Sequence, residues 1–199
     1  MRFPYYLLAF LLLAGCVGTP VLPPAADPQL AWQQHREQLA GLDRWSIDGR
    51  IAIQTGNEGW HASLEWQQRG DGYTIALSGP FGQGAVRLEG DGDRVTLRTG
   101  EDEALVDDDP ELLLYRQLGW RVPVNALRYW VLGIPAPGPE VHELNAQGFL
   151  ARLQQAGWNI EFRDYARQGD RALPGKVFVS NHQARVRLVI DQWTLGAPS

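Results

Sequence analysis

Cysteine is almost absent from this sequence, since Cys16 is the only one in 199 residues. An internal disulfide is therefore excluded, and a hydrophobic core alone must stabilise the fold. The four histidines are scattered without the spacing of metal ligands, and neither a Gly-x-Ser-x-Gly elbow nor a Walker motif occurs. We therefore expect no enzymatic activity, no metal and no cofactor.

Positive charge and long apolar runs are also scarce. The chain has 18 Lys and Arg residues against 23 Asp and Glu residues, a net charge of -5, which disfavours nucleic acid as a partner. The longest apolar run, residues 3–13, is well short of the about 20 residues that a transmembrane helix needs. Because this run follows the basic Arg2, it is typical of a signal peptide.

A lipobox follows the apolar run. In Leu13-Ala14-Gly15-Cys16, small residues precede the cleavage site and the Cys16 thiol can accept a diacylglyceryl group. In lipoprotein families that this segment resembles, Asp after the acylated Cys commonly retains the protein in the inner membrane, whereas residue 17 is Val. We therefore predict an outer-membrane lipoprotein that faces the periplasm. The expected parts are a signal peptide (1–15), a lipidated Pro-rich tether (16–29) and one folded domain (30–199).

Hydrophobic periodicity predicts the order of the elements. Apolar residues at helical spacing predict a helix over residues 30–42, and alternation from Trp45 to Leu97 predicts five antiparallel strands. Capping residues then predict two helices, over residues 111–118 and 123–132. Strand patterns return after Val141, with residues 167–174 expected to form a polar loop.

These segments amount to about 11 strands, which is within the range of barrels and half-barrels. We predict one strongly curved antiparallel sheet with helices across its open side. The fold class is mainly β with helices, in a single domain.

Two features leave alternatives open. Phe81 is a large apolar residue in a Gly-rich turn where polar residues are usual, and it either folds back onto a strand or points outward. The eight tryptophans form either an ordinary aromatic core or the wall of an apolar cavity.

Several motifs together carry a resemblance to a known family. The chain resembles the LolB family of outer-membrane lipoprotein receptors over nearly its whole mature length. The matching motifs are the lipobox, Trp32-Gln33-Gln34-His35, Gly49-Arg50, Leu64-Glu65-Trp66-Gln67-Gln68, Gly79-Pro80-Phe81-Gly82, Leu127-Arg128-Tyr129-Trp130-Val131-Leu132-Gly133 and Ile190-Asp191-Gln192-Trp193.

The resemblance implies an unclosed β-barrel with a helical lid over a hydrophobic cavity. Such a protein is expected to be a monomer that accepts acylated lipoproteins from the periplasmic carrier LolA. It then inserts them into outer-membrane lipid without nucleotide hydrolysis. In this family the loop that corresponds to Gly79, Pro80, Phe81 and Gly82 protrudes and carries an exposed apolar residue, often Leu, and Phe81 stands at that position here.

Residues on the apolar faces of the predicted strands and helices are the candidates for contact with the acyl chains of the cargo. They are Trp45, Trp60, Leu64, Trp66, Leu77, Leu127, Trp130 and Trp158. The rival hypothesis is a structural or assembly lipoprotein that binds a protein partner through an edge of the sheet, which a filled core would favour. A lipoprotein hydrolase would require a Ser or Asp that is essential for turnover.

Overall fold

The computed structural model describes residues 22–80, 84–100 and 103–196. Three of the predicted site residues, Cys16, Phe81 and Gly82, lie outside this part of the chain. The helices of the described part are α1 Pro28–Ala40, α2 Pro110–Leu118 and α3 Val124–Trp130. The strands are β1 Arg44–Thr55, β2 Glu58–Arg69, β3 Gly72–Ser78, β4 Val86–Gly90, β5 Val95–Thr99, β6 Leu105–Asp107, β7 Glu140–Leu144, β8 Leu150–Gln155, β9 Trp158–Arg163, β10 Ala166–Gln168, β11 Arg171–Leu173, β12 Lys176–Ser180 and β13 Ala184–Leu195.

Eleven of these strands form one antiparallel sheet in the order β6-β5-β4-β3-β2-β1-β13-β12-β9-β8-β7. The chain builds the sheet outward from its two 12-residue strands, β1 and β13, which pair at the centre. Within the described residues β6 and β7 remain as the two edges, so the sheet does not close. The predicted unclosed, mainly antiparallel fold is confirmed.

A β-bulge interrupts the pairing of β1 with β13 between Asp48 and Gly49. A Cβ atom at Gly49 would collide with the backbone carbonyl oxygen of Val189. Only glycine therefore permits the close approach of the two central strands at this point.

Alternation along the strands separates an inner face, which the helices cover, from an outer face. In β2, Ala62, Leu64 and Trp66 are buried while the residues between them are exposed. Paired residues on neighbouring strands point to the same side, so this alternation extends across the sheet. The inner face therefore carries the core, and the outer face carries most of the charge.

Polar caps set the start of two helices. The Asp109 carboxylate accepts hydrogen bonds from the backbone N–H groups of Glu111 (2.9 Å) and Leu112 (3.0 Å), as the sequence predicted for α2. Asp27 caps α1 in the same way, which explains why α1 begins at Pro28 rather than at residue 30. Gly119 ends α2 with a φ of 70°.

The prediction of a polar loop over residues 167–174 is wrong. Strands β10 and β11 form a two-stranded hairpin there, separate from the main sheet. Leu173 is 1% exposed, and β11 packs against α1. Strands of three residues are too short to show a clear period of two, so only the contact with α1 reveals their buried side.

Candidate functional site

An apolar cavity lies between the inner face of the sheet and a cover made by α2, α3 and the segment that joins them. Its volume is about 60 Å³. Every residue of its wall is Ile, Leu, Val or Trp. The sheet contributes Ile51, Ile53, Leu64, Trp66, Ile75, Leu77, Val86, Leu88, Val177, Val179, Val186 and Leu188, and the cover contributes Leu114, Trp120, Val122, Val124, Leu127 and Val131.

The size of the cavity decides what it holds in this conformation. A single water needs roughly 10–15 Å³ by this kind of measure, so 60 Å³ corresponds to the space of only a few waters. An acyl chain of about 16 carbons is much larger. The helical cover must therefore move away from the sheet before a chain of that length can enter.

Four of the eight predicted cavity residues line this space, namely Leu64, Trp66, Leu77 and Leu127. The other four are absent from its wall because their rings pack elsewhere. Trp45 lies against Trp66 and Trp193, with ring centroids 5.1 and 5.7 Å apart. The ring centroids of Trp60 and Trp120 are 4.9 Å apart. Trp130 donates a hydrogen bond to Gln155 on β8. Trp158, on β9, is buried.

Buried glutamines fix two of the tryptophans, and the sequence reasoning missed both. Gln155 Oε1 accepts hydrogen bonds from Trp130 Nε1 (2.8 Å) and from the backbone N–H of Ala136 (2.9 Å). Gln68 Oε1 accepts one from Trp66 Nε1 at 3.1 Å. The available signal was a Gln that continues the inward alternation, two residues after Trp66 in β2 and two residues after Leu153 in β8, because a buried amide needs specific partners.

The C-terminal end of α3 is anchored to the sheet by a buried side-chain hydrogen bond. Trp130 is fully buried and bonded to Gln155 on β8. Arg128, also on α3, forms a 2.7 Å ion pair with Asp71, whose side chain is 75% exposed. An exposed pair of this kind contributes little. The buried ring of Trp130 and its hydrogen bond therefore fix this end of α3 against β8.

Helix α1 covers a different part of the inner face, where aromatic rings pack on one another. The His35 ring lies 4.6 Å from that of Phe149, and Trp32 lies 5.6 Å from His142. Both His35 and Trp32 are 4% exposed. Burial lowers the pKa of His35 to about 4, so its imidazole is neutral at pH 7.

The predicted insertion loop joins β3 to β4. Gly79 is buried and Pro80 is exposed, which continues the alternation of buried Leu77 and exposed Ser78 at the end of β3. No helix in the described ranges is both long and apolar enough to cross a membrane. Within the same ranges, no three His, Cys, Asp or Glu side chains are grouped so as to hold a metal ion.

The matching family model and the relatives found by comparison with known proteins have the same description. The sequence model of the family described as "Outer membrane lipoprotein LolB" matches residues 43–193. An "Outer-membrane lipoprotein LolB" from Nitrosococcus oceani is 45% identical over 197 residues, which is 98% of each chain. One from Pseudomonas aeruginosa is 41% identical, covering 93% of this chain and 92% of its own.

Two solved structures share the fold at low sequence identity. A LolA superfamily protein from Nitrosomonas europaea superposes with a TM-score of 0.52 at 9% identity, covering 87% of this chain and 95% of its own. A DUF1329 family protein from Desulfovibrio piger gives a TM-score of 0.54 at 7% identity, with the same two coverages. Both likenesses concern the fold alone.

Proposed function

The chain belongs to the LolB family of outer-membrane lipoproteins, and on this premise we propose that it is a lipoprotein receptor. In this proposal it takes acylated lipoproteins from the periplasmic carrier LolA and inserts them into the outer membrane. The single observation that carries the proposal is the cavity, whose wall is wholly Ile, Leu, Val and Trp beneath two short helices.

The need for such a cavity follows from the cost of exposing lipid to water. At about 0.8 kcal/mol for each CH₂ group, one chain of about 16 carbons costs on the order of 12 kcal/mol to expose. Transfer from one apolar cavity to another avoids that cost. The direction of transfer then depends on relative affinity, so nucleotide hydrolysis is not required.

The small volume of the cavity determines how an acyl chain would enter. In the state described here the wall residues of α2 and α3 rest on the sheet and leave about 60 Å³. Entry of an acyl chain separates these apolar surfaces, and the chain then covers both of them. The cavity residues Leu64, Trp66, Leu77 and Leu127 are our candidates for direct contact with the cargo.

Release into the membrane is assigned to the loop that contains Phe81. A phenylalanine side chain gains about 1.5–3 kcal/mol when it moves from water into an apolar phase. Pro80, the last described residue before Phe81, is exposed. Cys16 is proposed as the acylated anchor that keeps the protein at the outer membrane.

One observation favours the rival function, a lipoprotein that binds a protein partner. The edge strand β6 exposes Leu105 (38%) and Val106 (61%), and unpaired edges accept an added strand. The two functions differ in whether the chain binds acyl groups.

Transfer of cargo tests the proposal. Because the described fold starts at residue 22, a form of the chain that begins at Val17 retains all of it. We expect this form to remove acylated cargo from the loaded carrier, measured by co-purification. F81E should accept cargo normally but deliver it to liposomes about tenfold more slowly, because a charge replaces the apolar contact.

The matched control is V141E, which places the same charge on an exposed apolar residue of β7 (68% exposed). It should deliver cargo like the unmodified chain. If the unmodified chain takes no acylated cargo, the receptor function is refuted and the partner-binding function becomes the better explanation. Equal delivery by F81E and the unmodified chain would refute only the role of the loop.

A further inference from the structure

A second hollow lies on the outer face of the sheet, opposite the apolar cavity and next to the described part of the β3–β4 loop. Its volume is about 440 Å³. Small residues of β1, β2 and β3 form the floor, including Ala52, Ser63 and Ser78, and longer side chains form the rim. The rim residues are Arg50, His61, Arg187 and Pro80.

The strand register explains why these residues meet. Ser78 pairs with Ser63 and Ser63 with Arg50, which form one row across the sheet. In the next row, Ala52 pairs with both His61 and Arg187. Directly paired residues point to the same side, so the basic side chains surround a floor of small residues.

Charge distinguishes this hollow from two others, which lie beside α3 and are lined by Arg128 and Tyr129 among other residues. Its wall contains two arginines and a histidine but no carboxylate. The walls of the other two carry both charges. One contains Arg36 and Arg128 with Asp43, Asp71 and Glu140, and the other contains Arg94 and Arg128 with Asp71, Asp91, Asp93 and Asp108. In a chain with a net charge of -5, a basic surface of this kind is local rather than general.

The two arginines are not equally available. Arg50 is engaged by Asp191, with Nη2–Oδ1 and Nε–Oδ2 distances of 2.7 and 3.1 Å. Arg187 lies 5.4 Å from the centre of the Phe178 ring, and among the described residues no carboxylate forms an ion pair with it. A guanidinium group held against a ring keeps its donors free for an oxyanion.

We propose that this hollow binds the phosphate groups of anionic phospholipids in the membrane that receives the cargo. Arg187 is the principal cation, and the Ser63 and Ser78 hydroxyls at the floor are available to the phosphate oxygens. Pro80, at the rim, directly precedes the residue assigned to membrane insertion, so phosphate binding would orient the insertion loop toward the bilayer. The inference rests on the proposed function and specifies the surface that this function recognises.

Vesicle binding tests the inference with the form of the chain that begins at Val17. Vesicles of phosphatidylcholine are compared with vesicles that also contain phosphatidylglycerol, by co-flotation at several salt concentrations. We expect tighter binding to the anionic vesicles, and R187Q should weaken that binding about fivefold. R187K, which keeps the charge, should recover most of it.

The matched control is R36Q, which removes one exposed positive charge from α1, on the other side of the sheet. It should change vesicle binding by less than about twofold, because α1 faces away from the hollow. Equal losses in R36Q and R187Q, or no preference for anionic vesicles, would overturn the inference.

Cargo uptake from the carrier separates this inference from the receptor function. R187Q should take up cargo like the unmodified chain, because Arg187 is not part of the cavity wall. If the unmodified chain binds anionic vesicles through Arg187 but takes up no cargo, phosphate binding by the hollow is supported and the receptor function is refuted.

Discussion

The inner face of the sheet is covered in two different ways. Under α1, aromatic rings fill the space, as in the contacts of Trp32 with His142 and of His35 with Phe149. Under α2 and α3, a cavity remains whose wall is mostly Ile, Leu and Val, with Trp66 and Trp120. Aromatic packing thus characterises the α1 side, whereas an apolar cavity characterises the α2–α3 side.

The difference teaches how one sheet can combine a stable core with a site that must open. Aromatic rings that pack closely on one another have few alternative arrangements. Ile, Leu and Val side chains lack directional partners, so a second apolar surface, such as an acyl chain, can replace the first at little cost. We therefore expect the α1 side to supply stability and the α2–α3 side to supply function.

The largest expected effect contrasts two matched substitutions. L153A removes a buried side chain on β8, on the α1 side, and should lower the free energy of unfolding by about 4 kcal/mol. L88A, in the cavity wall, should lower it by about 2 kcal/mol, because a side chain beside a void already lacks contacts on one side. Urea denaturation measures both values, and equal losses would break the comparison.

A smaller effect concerns pH. Burial lowers the pKa of His35 to about 4, so below about pH 6.5 the unfolded chain binds a proton that the folded chain refuses. The free energy of unfolding should therefore fall as the pH drops from about 6.5 towards 4. His35 alone should lower it by about 2 kcal/mol near pH 5.

The variant H35Q should remove that part of the pH dependence, measured as the change in unfolding free energy between neutral and mildly acidic pH. H182Q is the control, because His182 is exposed in the turn between β12 and β13 and should leave the pH dependence unchanged. An H35Q protein with the original pH dependence would show that another group is responsible.

The smallest expected effect tests whether α2 loosens independently of α1. D109A removes the N-cap of α2 and should destabilise this helix by about 1 kcal/mol, which corresponds to about fivefold faster amide exchange in α2. Exchange in α1 should not change. D109N retains a capping side chain and should exchange like the unmodified chain, whereas faster exchange in both helices would show that the two sides open together.

Much of the fold could be predicted because its signals are local. The period of two in β1 and β2 and the Asp109 and Gly119 caps depend on neighbours in sequence, and all of them are found in the structure. The β10–β11 hairpin was missed because its three-residue strands are defined by contact with α1.

The candidate site could be predicted only in part. Leu64, Trp66, Leu77 and Leu127 share apolar faces that the sequence shows, and they line the cavity. Periodicity could not show that Trp130 turns to Gln155, or that Trp120 joins the wall. Both outcomes depend on contacts between elements far apart in the chain.

The sequence by itself determined the class of fold, the family and the alternation that separates an apolar face from a charged one, because each depends on the order of residue types along the chain. Only the tertiary structure decided where the core is filled and where it is open, since that depends on how rings from distant segments pack. It also decided that Arg50, His61 and Arg187 meet around one hollow, because strand register, not sequence distance, brings them together.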